Sequence, residues 1–400
     1  MTDQPSRSDI DLVSGEFWGR NPHEELTWMR ENAPVYWDGN SRLWGVAKHS
    51  DVRHVSRNPE IFSNAQGFRP DYPAMPFMIS MDDPDHVNRR KLVNRGFTPR
   101  RVAGQEQRIR EICDEIIDQV CESGECDFVW SVAARLPLIV IGDALGFAAA
   151  DRDQLLTWSD DLLRGLTGGD DEQALTRAME AFEGYTAHTS EVIADRRENP
   201  SDDLIGTLVH AEVDGDHLDD ESLVYESLLI LLGGDETTRH VLSGGVQQLI
   251  NHPEQHRKLV EDPGKIPVAV EEMLRWVSPI KNMARTATRD VELGGQQVRE
   301  GDTLLLLYPS ANRDEDVFAD PFRFDVERSP NDHIAFGMGS HFCMGNGLAR
   351  LELRVMFEQL LKRLPDIALV DEGEPAYRPA NFVSGYESMP VRFTPRAKTG

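Results

Sequence analysis

Apolar residues recur at helical spacing through most of the interior of the chain. In RIREICDEIIDQVCES, residues 108–123, Ile109, Ile112, Cys113, Ile116, Ile117 and Val120 repeat at intervals of three and four. A longer apolar stretch, SLVYESLLILLGGDETTRHVLSGGVQQLINH at 222–252, also has helical character and carries adjacent glycines at 233 and 234. Short breaks such as ENPSDD and DGDHLDD supply turn and N-cap residues between helices. Strand-like pieces are few and lie towards the ends: PVYWD, LWGVA, VELGGQQVREGDTLLLLYP and PVRFTP. The pattern predicts a mainly α protein with a small β region assembled from distant segments, an α+β class. No repeat or low-complexity linker divides it. Residues 1–20 read as a loose N-terminal arm and 21–400 as one domain.

Composition narrows the setting. Four hundred residues exceed the roughly 250–300 at which single cores usually stop growing, so a large single domain or a two-lobed chain fits. Forty-two basic against 69 acidic residues give a net charge of -27, which opposes nucleic acid or anionic lipid as a partner. The start, MTDQPSRSDIDLVSGEFW, lacks a basic region followed by an apolar core, so no secretory signal is expected. The apolar run LPLIVIGDALGF is broken by Gly142 and Asp143, and nothing reaches the roughly 20 residues of a membrane anchor. The four cysteines, Cys113, Cys121, Cys126 and Cys343, form no CxxC pair. That spacing suits a reducing, cytoplasmic location and no structural zinc.

Four constellations carry chemistry. HIAFGMGSHFCMGNGLARLEL, residues 333–353, puts Cys343 in a glycine-rich run that turns helical, either as a small core residue in a turn or as a sulfur held outward. LLGGDETT, 231–238, puts Asp235, Glu236, Thr237 and Thr238 directly after two glycines, each costing about 1 kcal/mol in a helix. Either one helix ends there and Asp235 caps another, or the glycines open a notch beside an acid and an alcohol. In EEMLRW, Glu272 and Arg275 share one helical face, which alone reads as an ordinary ion pair. DDPDHVNRRKLVNRGFTPRR, 82–101, reverses the sign of the chain locally with Arg89, Arg90, Lys91, Arg95, Arg100 and Arg101.

Together these residues resemble the cytochrome P-450 monooxygenases. Phe336-x-x-Gly339-x-His341-x-Cys343-x-Gly345 resembles their haem-binding signature, and Gly233-Gly234-x-Glu236-Thr237 their mid-helix oxygen-activation motif. Glu272-x-x-Arg275 resembles their ExxR pair, with Arg323 of PFRF as the third member. The resemblance implies haem b held between a long central helix and the cysteine loop, with Cys343 as the axial ligand to iron. A thiolate there pushes electron density onto iron and favours O–O cleavage. Cys343 at a helix start, with Gly339 and Gly345 freeing backbone N–H groups to face the sulfur, fits a stabilised thiolate. Phe336 would shield that face from water. The haem propionates would fall to His86, Arg90, Arg285 and His341. Glu272, Arg275 and Arg323 would form a buried network around the loop. Thr237 would donate to dioxygen and Glu236 would relay protons.

The partners implied are dioxygen, a ferredoxin and its reductase, with the basic run 89–101 as the landing surface. FSNAQGFRPDYPAMPFMISMDDP, 62–84, falls where this family builds a mobile substrate loop, and places Met75 and Ile79 beside substrate, with Gly233 bounding the narrow end. ISMDDPDHVNRRKLVNRGFTPRRV and VSPIKNMARTATRDVELGG resemble actinobacterial steroid side-chain monooxygenases, which oxidise the terminal methyl (C26/C27) of cholesterol or cholest-4-en-3-one. Other family members take fatty acids, terpenoids or polyketides. A non-catalytic haem-thiolate protein binding a sterol or a gas is the reading from a different class; the intact Glu236–Thr237 pair counts against it.

Overall fold

A computed structural model describes residues 5–166, 172–213, 215–371 and 373–399. About 54% of it is helical. The expected strands form: Val35–Asp38 and Leu43–Val46 make a hairpin, and Leu43–Val46 runs parallel to Thr303–Leu307. Two strands of that five-stranded sheet were not anticipated, Asn282–Ala287 and Phe62–Ser63. Asn282–Ala287 reads poorly because polar residues fall on both faces, Asn282 and Thr286 on one and Arg285 on the other, yet its pairing with Thr303–Leu307 sets Arg285 opposite Leu304. That register fixes where the Arg285 side chain emerges.

Residues 1–20 are not a loose arm once past the first few. Ile10, Leu12, Phe17 and Trp18 are buried in a cluster with Leu305 and Leu307. Leu12 N–H donates to Asp38 and the Trp18 indole donates to the Leu12 carbonyl. Apolar burial of this kind stabilises by about 1.5–3 kcal/mol per large side chain, enough to dock a short segment. Residues 1–4 lie outside the described residues.

The central helix, Asp220–Asn251, is continuous through Gly233 and Gly234, so neither ends it. Asp219 caps it, accepting from Ser222 N–H. It is buried for most of its length, and long helices survive weak residues when tertiary packing holds them. Among the helices packed against it are Ile266–Val277 and Asn346–Arg363. Gly245 permits the close approach, since a Cβ there would stand 2.8 Å from Phe357 and 2.9 Å from Met273. This crossing sets the cysteine loop beneath the glycine notch. Among the described residues, no helix is long and apolar enough to cross a membrane.

Candidate active site

Cys343 lies three residues before the helix Asn346–Arg363 and lines an interior cavity. Its own N–H donates to the Phe336 carbonyl at 2.9 Å, which closes the loop into a hairpin-like bend. Gly339 makes that bend possible: its φ is +77°, and a Cβ would stand 2.0 Å from the Ser56 carbonyl oxygen. Its role is therefore to seat the loop, not to donate to sulfur. Burial pushes the Cys343 thiol up, while N–H groups of Gly345 and Asn346 and the charges of Arg90 and Arg350 pull it down. Four donors or cations thus converge on a partly buried sulfur. Phe336 flanks it, stacked under the Arg350 guanidinium at 4.5 Å. The other cysteines are structural: Cys113 and Cys121 are buried in the core, and burial pushes the Cys126 thiol up to about 12.

His86, Arg90, Arg285 and His341 come from three distant segments and all line this cavity. His86 and His341 stack, with ring centroids 3.9 Å apart. His86 Nδ1 meets Asp83, while its Nε2 is buried without a partner. Arg90 donates to the Phe342 carbonyl at 2.5 Å. Arg285 is 5% exposed, donates to the Ala284 carbonyl, and has no carboxylate paired with it among the described residues. Burial, and then repulsion from His86, Arg285 and Arg90, hold His341 down, to about 2. A buried guanidinium and an orphaned imidazole nitrogen beside an apolar cavity fit a ligand that brings its own anionic groups. The haem implied by the sequence meets that test. Tyr308, also lining the cavity and electrostatically coupled to Arg285, had no signal in the sequence.

The central helix forms the opposite wall. A Cβ on Gly233 would meet nothing within 4 Å, so the notch comes from a missing side chain and not from a broken helix. Thr237 faces the same space, and its hydroxyl donates to the Gly233 carbonyl at 2.8 Å. Glu236 does not face the cavity. It is buried and ion-paired with Arg239 and Arg378, with His240 3.8 Å away. Two further acids lie close by: Asp235, which caps no helix because the central helix runs through it, and Glu352, which had no signal in the sequence. Asp235 is buried with both oxygens unpartnered and pushed up to about 6; Glu352, which lines the cavity, is raised strongly by burial and by Asp235.

Ile79 and Gly233 line the cavity as expected, but Met75 does not. Met75 is partly buried against the apolar cluster that holds Phe68, Phe77 and Met78, and it is those three that line the cavity. Phe382 of the C-terminal segment faces them, 5.4 Å from Phe68. Glu226 of the central helix ties this loop down: its carboxylate accepts from Met78 N–H at 2.9 Å and from Arg89 at 3.4 Å. Arg89 is thereby committed inward. Burial raises Glu226 from the ordinary 4.5 to about 7. A raised acid stabilises the fold fully below about pH 4.5, and that contribution is lost as pH rises through about 7. Glu226→Gln is therefore expected to gain about 1 kcal/mol on wild type between pH 6 and pH 8, read by urea unfolding. Parallel pH profiles would remove Glu226 as the titrating group.

Glu272 and Arg275 form a fully buried bidentate pair, each contact 2.8 Å. The third member is Arg328, not Arg323. Arg328 Nε donates to both Glu272 oxygens at 3.1 Å, whereas Arg323 is 62% exposed and reaches only Asp325 at 3.8 Å. Both arginines sit in PFRFDVER; the turn at Asp325–Arg328 carries the second one inward. Asp325 N–H also donates to Glu272, and Arg275 reaches the Asn312 and Pro321 carbonyls.

A family model described as Cytochrome P450 matches residues 154–265 and 266–371. The chain is 53% identical over 398 residues to a steroid C26-monooxygenase of Mycolicibacterium smegmatis, covering 99% of each chain. It is 52% identical over 402 residues to a steroid C26-monooxygenase of Mycobacterium tuberculosis, covering 100% of each. Among solved structures, it superposes with a TM-score of 0.89 and 35% identity on Mycobacterium marinum cytochrome P450 CYP268A2 in complex with pseudoionone, covering 98% of this chain and 100% of that one.

Proposed function

The chain belongs to the cytochrome P450 family, and from that premise we propose that it oxidises the terminal side-chain methyl (C26/C27) of cholesterol or cholest-4-en-3-one. The observation that carries the reading is the cavity itself: Cys343, the bare Gly233 and Thr237 line one chamber whose other walls are mainly apolar, among them Phe68, Phe77 and Ile79. The steroid C26-monooxygenase relatives at 52–53% identity supply the substrate class. Haem b, when bound through the Cys343 thiolate, supplies the reductive activation of dioxygen and insertion of one oxygen atom into a C–H bond.

The chain's own residues do the rest. His86, Arg90, Arg285 and His341 hold the propionates, and Gly345 N–H and Phe336 tune and shield the sulfur. Gly233, which carries no side chain and has open space where a Cβ would stand, leaves room beside Thr237 for the sterol side chain. Phe68, Phe77 and Ile79 pack the rings. Burying about 500 Å² of apolar sterol surface at about 25 cal/mol/Å² yields roughly 12 kcal/mol before association costs, so micromolar binding is feasible. Electrons come from a ferredoxin and its reductase, landing on the exposed Lys91, Arg95 and Arg100.

Thr237 orients a proton beside Gly233, and Glu236 is the carrier that refills it after leaving Arg239 and Arg378. Thr237→Ala should bind sterol and consume reductant at close to the normal rate while hydrogen peroxide accumulates in place of product. Unchanged coupling of reductant to product would remove that role. The substrate class is tested by optical titration of the haem protein with sterols and fatty acids. Saturating spectral shifts at micromolar cholest-4-en-3-one are expected; a response to fatty acids alone would overturn the sterol reading.

A further inference from the structure

A second cavity lies on the far side of the central helix, separate from the cysteine side, and its lining is polar. His240, Gln247 and Gln248 of that helix form one wall, with Arg313, Tyr377 and His23 opposite. Arg313 is the anomaly. It is 2% exposed and stacks on Trp276, with its guanidinium carbon 4.8 Å from the ring centroid. Nη2 donates to the Trp276 carbonyl at 2.8 Å, yet Nε and Nη1 are buried without any partner. No carboxylate is ion-paired with it among the described residues. A buried cation left unpaired in this way costs several kcal/mol unless something supplies the missing charge and acceptors.

The neighbours deepen the imbalance. Lys281 is 3% exposed, holds Tyr377 by a 2.9 Å hydrogen bond, and is pushed down to about 7 by burial and by Arg313. His23 and His240 are driven strongly towards neutrality, His23 by Arg313, Lys281, Arg30 and Arg275 after burial. Both ring nitrogens of His240 and Nδ1 of His23 are unpartnered. The acids in reach do not answer this charge. Glu272 is consumed by Arg275 and Arg328, Glu236 by Arg239 and Arg378, and Glu374 sits exposed at the rim. In a chain of net charge -27, this is a locally positive pocket, open at a rim that includes Arg20 and Glu374, with unpartnered buried donors inside.

We propose that this cavity binds a small oxyanion, held by the unpartnered Nε–H and Nη1–H donors of Arg313, with the imidazoles and the Gln247 and Gln248 amides around it. Nε and Nη1 lie on different edges of the guanidinium, so each offers a separate charged N–H to an oxygen of phosphate, sulfate or a carboxylate, while Nη2 is held by the Trp276 carbonyl. The ion would complete the charge balance behind the Glu272–Arg275 pair and stabilise the fold by mass action.

The probe is inorganic phosphate, with sulfate and acetate as parallel arms and chloride holding ionic strength constant. Equilibrium dialysis of the haem-loaded protein against labelled phosphate should give one saturable equivalent per chain, with a matching saturable rise in melting temperature. General salting effects rise without saturation and are shared by all variants, which separates them. Arg313→Gln should weaken binding about tenfold to a hundredfold, the loss expected for a charged hydrogen-bond donor. Should that variant fail to fold, Gln247→Leu alters the facing wall without touching Arg313 and should also weaken binding. The rank among phosphate, sulfate and acetate identifies the oxyanion class. Absence of a saturable equivalent, or binding unchanged in Arg313→Gln or in Gln247→Leu, overturns the site and leaves a water-filled cavity.

Discussion

Cys343→Ser is expected to abolish the strongly red-shifted Soret band of the reduced carbon monoxide complex and to reduce monooxygenase turnover to background. Serine preserves the size of the loop residue and its backbone bond to Phe336, so the loop itself should survive. What is lost is a soft, electron-rich sulfur held by Gly345 and Asn346 N–H groups near Arg90 and Arg350. Cys113→Ser, Cys121→Ser and Cys126→Ser are the matched controls. They sit in or against the core, away from the cavity, and should keep the band at some expense of stability. A band that survives Cys343→Ser and disappears with one of the others would reassign the ligand.

The second large effect concerns the buried acid–arginine network. Arg328→Ala is expected to cost about 3–5 kcal/mol, because it strips a partner from Glu272 while leaving that carboxylate buried. It also frees three carbonyls, of Ala319, Asp320 and Arg323, that the same guanidinium now satisfies. Arg323→Ala should stay within about 0.5 kcal/mol, as an exposed pair usually does. Urea unfolding of the two variants separates them. Equal costs, or a larger cost for Arg323→Ala, would return Arg323 to the network.

That contrast shows where sequence reading ran out. Helical periodicity located the core helices because burial follows the 3.6-residue repeat directly, and glycine spacing around Cys343 revealed the loop because few other residues tolerate it. Two arginines five positions apart in PFRFDVER are indistinguishable by spacing; only the turn decides which points inward. Met75 failed for the same reason, since a loop has no period from which to read its inner face. Glu236 was correctly placed beside Thr237 in sequence, yet successive helical residues point about 100° apart, so it faces Arg239 and Arg378 while Thr237 faces the cavity. Arg378, Arg328 and Arg313 are partners supplied by segments far away in the chain, and nothing local announces them. Residues 10–18 were misread as a loose arm because four buried side chains without a regular repeat leave no pattern.

The central claim is that the cavity steers oxygen to a terminal methyl. The tertiary C–H at C25 is weaker than the primary C–H bonds beside it, so intrinsic reactivity favours the wrong carbon. Only a side chain held end-on past Gly233 can reverse that order, and positioning on this scale outweighs a few kcal/mol of bond strength. The direct measurement is product analysis of cholest-4-en-3-one turned over by the reconstituted enzyme with ferredoxin and reductase. Predominant C26/C27 alcohol, followed by aldehyde and acid, is the predicted result; predominant C25 or ring hydroxylation would contradict it.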